Sequence, residues 1–172
     1  MLDLSIVLEN NILIGESKII GFENQVDVAH ANHEIKMPTS SDKSTTMRTS
    51  GRLTHGHMIL TVRMSKAVPK MLECCAKGEN IGNVGLTFLR MANGNLVPYA
   101  VYQMSNVFIA RIELKTDYSS VSGSGNVTDS SLPWYEVALD YTSIGFDYTE
   151  FGSDGQAVGT VSCPVLTGLG QA

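Results

Sequence analysis

Apolar residues recur with a helical period in only one stretch of the chain. Between Ser65 and Asn80, Val68, Met71, Leu72 and Cys75 stand at i, i+3, i+4 and i+7, while Lys66, Lys70, Glu73 and Lys77 fall mostly on the other side. Pro69 has no backbone N–H and belongs in the first turn, where that donor has no partner anyway. Gly78 follows the last periodic residue, at the place where a left-handed cap is cheap without a Cβ. The pattern predicts one short helix over about residues 66–77. By phase Cys75 points inward and Cys74 lies near the edge of the buried stripe.

Elsewhere the period is two, the mark of strands with one buried face. Leu2, Leu4, Ile6 and Leu8 alternate with Asp3, Ser5 and Val7 up to Asn10 and Asn11. Gly15-Glu16-Ser17 reads as a turn, and Gln25 to Ala31 returns with Val26 and Val28 inward. Met58, Leu60, Val62 and Met64 form a strand that runs straight into the helix. Val84, Leu86 and Phe88 follow it, then the hairpin signal Asn93-Gly94, whose residues tolerate positive φ. The return strand, Leu96 to Gln103, holds Pro98, a sign of an edge or a bulge. Val107 to Leu114 is apolar on both phases, Val107 and Ile109 on one, Phe108, Ala110, Ile112 and Leu114 on the other. That predicts a strand covered on both sides, in a closed barrel or at a subunit contact. Tyr135, Val137, Leu139 and Tyr141 alternate next, and Ile144, Phe146 and Tyr148 continue beyond.

Two polar stretches, about 36–52 and 119–131, and a glycine-rich tail, about 152–172, interrupt this pattern and read as flexible loops and tail of one domain spanning residues 1–172. Many short strands without βαβ alternation predict a mainly β fold: an antiparallel barrel of two packed sheets with one short α-helix.

Charge narrows the partners. Twelve basic against seventeen acidic residues give a net of −5 with no cationic stripe, which argues against nucleic acid. The three cysteines have no metal-ligand spacing and read as reduced thiols. The start of the chain lacks a basic region and a cleavage site, so no signal peptide is expected, and no run reaches the ~20 apolar residues of a membrane helix. His55-Gly56-His57 places two imidazoles two residues apart, able to chelate zinc or copper if carboxylates arrive from elsewhere, or merely solvated where a loop enters a strand. No Gly-x-Ser-x-Gly elbow is present, and Ser122-Gly123-Ser124-Gly125 and Gly168-Leu169-Gly170 precede no helix that could cradle phosphate. No residue set supports catalysis, a cofactor or a bound metal. A metal-dependent enzyme using His55 and His57, or a glycan-binding β-sandwich displaying Trp134, stay as alternatives.

The ordered set of motifs resembles the haemolysin-coregulated protein (Hcp) family, tube subunits of the bacterial type VI secretion system. It comprises Gly15-Glu16-Ser17, His57 to Met64 leading into Ser65-Lys-Ala-Val-Pro-Lys-Met-Leu72, the Ala76-Lys-Gly78 helix end, Val84 to Arg90 with Asn93-Gly94, and Tyr135 to Tyr148. The resemblance covers roughly residues 1 to 150. It departs where many members carry a Trp in the second strand, here Val28-Ala29-His30-Ala31, and at the end, where Thr160 to Leu166 replaces a Gly-Trp motif. The resemblance implies a non-catalytic subunit of a homohexameric ring. Such rings stack into a tube that carries effectors inside a sheath and beneath a spike, and the subunit leaves the bacterial cytoplasm through the apparatus with no membrane insertion. A phage tail-tube protein would share the same logic. Under this reading Met37, Lys43, Met47, Arg48, Arg52 and Leu53 are ring-stacking candidates, and Val107, Phe108, Ile109 and Ile112 are subunit-contact candidates.

Overall fold

The computed structural model describes residues 5–38, 53–116 and 133–167, and within them the period-two stretches become ten strands around one helix. In chain order these are β1 (Ser5–Glu9), β2 (Val26–Asn32), β3 (Ile35–Lys36), β4 (Thr54–His55), β5 (Met58–Arg63), α1 (Val68–Lys77), β6 (Asn80–Ala92), β7 (Asn95–Lys115), β8 (Trp134–Asp140), β9 (Ser143–Phe151) and β10 (Ala157–Thr167). All pairings are antiparallel. The main sheet runs β10-β9-β7-β6-β1-β2-β5-β8, and β8 pairs back onto β7. Six strands therefore close on themselves as a barrel, and β9 and β10 extend from its β7 side as a flank. The mainly β fold class with one helix is borne out, its two layers being halves of one continuous sheet.

The interior is filled from alternate positions of every barrel strand. Leu8, Leu60, Leu86, Met104 and Leu139 are fully buried there, and Met71 and Cys74 of α1 join the same cluster. The expected helical stripe is rotated in the structure: Val68, Met71 and Cys74 are buried, Cys75 is half-buried, and Leu72 is exposed. The helix packs on one strand, β7, so a narrow row at three-residue spacing suffices, and Leu72 falls outside it. Burial pushes the Cys74 thiol up from its ordinary value, helped by the Glu79 carboxylate beside it. Pro69 sits in the first turn and Gly78 closes the helix at φ 61°, with Glu79 N–H donating to the Cys74 carbonyl at 2.9 Å.

The first strand departs from its expected single buried face, since Val7 is as buried as Ile6 and Leu8, and Met64 lies exposed past the end of β5. Beyond β1, Asn10 ends the strand as anticipated and ties two elements together. Its Oδ1 accepts from the N–H groups of Ile12 and Leu13, and its Nδ2 donates to the carbonyls of Ile81 and Asn83. The Gly15-Glu16-Ser17 segment lies alongside residues 24–25, with Gly15 N–H donating to Asn24 O at 2.7 Å and Ser17 N–H to Gln25 O at 3.0 Å. Glu16 reaches across to accept from the Lys66 N–H just ahead of α1.

Two larger differences concern the second half. The strands expected at Leu96 to Gln103 and Val107 to Leu114 are one 21-residue strand, β7, which bends instead of breaking. Asn106 at φ 50° faces the Gly82 region of β6, where the register shifts on both sides of Gly82. Pro98 does mark a bulge, since Phe88 pairs with Ala100 but Leu89 with Pro98. The segment read as a glycine-rich tail carries the 11-residue strand β10, paired along β9. Its glycines and Pro164 hide a strand that owes its place to that ladder and not to its own propensity.

Candidate assembly surfaces

The apolar residues of Val107 to Leu114 sort themselves through a bulge. Ile109 pairs with Leu139, and the next pair is Arg111 with Ala138, so Ala110 is the extra residue and the phase flips. Val107 and Ile109 are buried in the core before the bulge, and Ile112 packs partly against the core after it. The expectation that Ile112 shares the face of Phe108 is thereby corrected. Of the four subunit-contact candidates, Phe108 alone is exposed, at 38%. Beyond the bulge Arg111 bridges Glu113 and Glu136, and Lys115 pairs with Glu113 at 3.0 Å.

A row of exposed valines lies on β10, which the sequence pattern did not reveal. Along its length almost every residue is exposed, with Val158, Val161 and Val165 at 69%, 72% and 66%. One edge of β10 pairs with β9, and among the described residues no strand pairs with its other edge. An open, long edge carrying valines is a template for another strand or an apolar neighbour. At the other strand of this flank, Tyr148 is exposed beside Tyr99, in an aromatic row that continues through Phe88, Tyr102 and Phe146.

The stacking candidates lie at or beyond the feet of the excursion between β3 and β4. Met37 is exposed and Leu53 half-buried, whereas Lys43, Met47, Arg48 and Arg52 lie outside the described residues. The feet are paired, Ile35 with His55 and Lys36 with Thr54, and Gly56 N–H donates to Glu34 O at 2.8 Å. The two histidines flanking Gly56 part company here. His55 packs edge-on against Tyr141, while His57 is exposed. Among the described residues no three His, Cys, Asp or Glu side chains converge on a metal-sized site. No described helix is long and apolar enough to cross a membrane.

A family model described as "Type VI secretion system effector, Hcp" matches residues 6–148. Among solved structures the chain is similar to one titled "Structure of a type six secretion system protein", at 16% identity and TM-score 0.79, over 92% of this chain and 91% of that one. It is similar to Hcp1 from Salmonella typhimurium at 16% identity and TM-score 0.69, over 92% and 91% of the two chains. It is also similar to a type VI secretion system effector from Yersinia pestis at 17% identity and TM-score 0.67, over 94% and 98%. No curated protein sequence matches it. The family match stops before β10, whereas the structural matches extend over more than nine-tenths of the chain.

Proposed function

This chain belongs to the Hcp family of type VI secretion proteins, the tube subunits of that apparatus, and on that premise we propose that its ring is closed through β10. The observation that carries this is the edge of β10 that no described strand pairs, with its three exposed valines, on an otherwise closed barrel. A cyclic ring needs two different patches that meet head to tail. The flank β9–β10 supplies one, and the outward side of β7 around Phe108, with the charged row Arg111, Glu113 and Glu136 beyond the bulge, supplies the other. Val107 and Ile109 serve the core of the protomer, and Ile112 serves it in part. Sheath, spike and effector proteins are the further partners, and the role is structural, not catalytic. The subunit is made in the bacterial cytoplasm and leaves through the apparatus.

Native mass spectrometry of the purified chain at micromolar concentration is expected to show an assembly near six times the 18.6 kDa protomer mass. A monomer alone at that concentration overturns the ring. Stacking is assigned to the excursion beyond β3, so shortening residues 38 to 50 is expected to leave single rings intact and to abolish long end-to-end stacks under the electron microscope. Normal tubes from the shortened chain would remove the excursion from stacking.

A further inference from the structure

At the base of that excursion three side chains far apart in sequence meet on one oxygen. The Tyr141 hydroxyl lies 2.5 Å from His33 Nε2 and 3.4 Å from His55 Nδ1, and it donates to the Gly56 carbonyl at 3.2 Å. A phenol has one proton to give and two lone pairs, so donation to Gly56 leaves Oη to accept from both imidazoles. His55 then carries its proton on Nδ1 and leaves Nε2 bare, and that Nε2 is buried with no partner. His33 also packs its ring against Tyr102 and Tyr141, with centroids 6.0 and 5.7 Å away. The residues so gathered belong to the foot of β3, to β4 and its exit, and to the turn after β8, so one hydroxyl ties both feet to the end of the barrel.

We propose that His33, His55 and Tyr141 form an acid-released latch, which near neutrality holds the β3 and β4 feet on the barrel end and lets them go when His33 takes up a proton. The feet bring Glu34, paired with Lys36 at 2.9 Å, and the exposed His57; β2 brings the exposed His30. From β7 comes Tyr102, and from the end of β8 comes Asp140, whose Oδ1 accepts from the Tyr141 N–H. Burial first, then the neighbouring His55, holds His33 below its ordinary value of 6.5, and no carboxylate offsets either effect. Burial, then Asp140 and Tyr102, pushes the Tyr141 phenol up to about 12, so it stays a neutral hydroxyl throughout. The sign follows from linkage. The added proton goes to His33 Nδ1 and leaves the Nε2–H donation to Tyr141 in place. The weakening comes from a charged ring held half-buried beside His55, which water solvates better. The latch is therefore fully stabilising above 6.5 and weakens as pH falls through the depressed value.

The test is amide hydrogen exchange on the full chain at pH 7.5 and pH 5.0, each corrected for intrinsic chemical rates. Protection at Gly56 and its neighbours in β3 and β4 is expected to be partly lost at pH 5.0, while β6 and β7 hold theirs. Tyr141→Phe is expected to show the low value at both pH values, and His33→Gln to remove the pH dependence. Carbon-detected titration of the wild-type histidines adds a readout that needs no variant, and His33 is expected to titrate below 6.5. Equal protection at the two pH values, a His33 that titrates at or above 6.5, or a His33→Gln chain that keeps the loss at pH 5.0 would each overturn the latch. The latch is read within one protomer. A chain that stayed monomeric at both pH values would sink the proposed ring and leave the latch standing.

Discussion

Replacing Val161 and Val165 together by lysine is expected to turn the ring into free protomers while leaving each protomer folded. Both side chains are already solvated in the protomer, at 72% and 66% exposure, so charge there costs the fold almost nothing. In the proposed ring the same positions would be covered, and an ammonium buried without a partner costs about 3–5 kcal/mol, more than a hundredfold in association at each contact. Size-exclusion chromatography with light scattering reads the outcome: a mass near 18.6 kDa for the variant, with the circular dichroism and melting midpoint of the parent protomer. A double variant that still runs as a ring would place the contact elsewhere on the barrel. Phe108→Lys is the complementary change on the outward side of β7.

The second large effect is expected at a position with no side chain at all. A methyl group on Gly15 would stand 2.2 Å from the Gln25 carbonyl oxygen and 2.7 Å from the Val26 Cα, both backbone atoms that cannot swing aside. Gly15→Ala therefore has to push apart the segment that carries the chain from β1 to β2. Overpacking of this kind costs about 3 kcal/mol, or roughly 10 °C in melting midpoint for a domain of this size. Gly159→Ala on β10 is the control, because its methyl would meet nothing within 4 Å. Equal midpoints for the two variants, followed by thermal circular dichroism, would mean that the Gly15 segment relaxes at no cost.

Much of this architecture was legible because alternation, a Pro inside the first helical turn and an Asn-Gly hairpin are local signals. Met58, Leu60 and Val62 point inward as their period says, and Gly78 closes the helix where the pattern stops. The failures share one cause, which is that pairing partners are not local. A bulge at Ala110 is invisible in a run of apolar residues, so simple alternation puts Ile112 on the wrong face. Thr160 to Leu166 reads as irregular until β9 lies beside it. The helix stripe shifted from Leu72 and Cys75 to Cys74 because the strand beneath it, and not the helix, chooses the phase. For the candidate surfaces the same limit held more strongly. The valines of β10 looked like an unstructured tail, and the meeting of His33 with Tyr141 spans 108 positions, which no motif records. His55 does join a side-chain cluster, with a phenol and a distant imidazole in place of His57.

The single strand β7 has a mechanical consequence. Its first half carries the flank and its second half forms the seam that closes the barrel, so one backbone of about 70 Å, at 3.3 Å per residue, belongs to both. A tug on the flank along the strand direction is thus delivered to the wall as shear, shared across a whole row of backbone bonds at once. A pull at right angles would unzip the same row one bond after another, so this subunit is stiffest along the direction in which β7 runs.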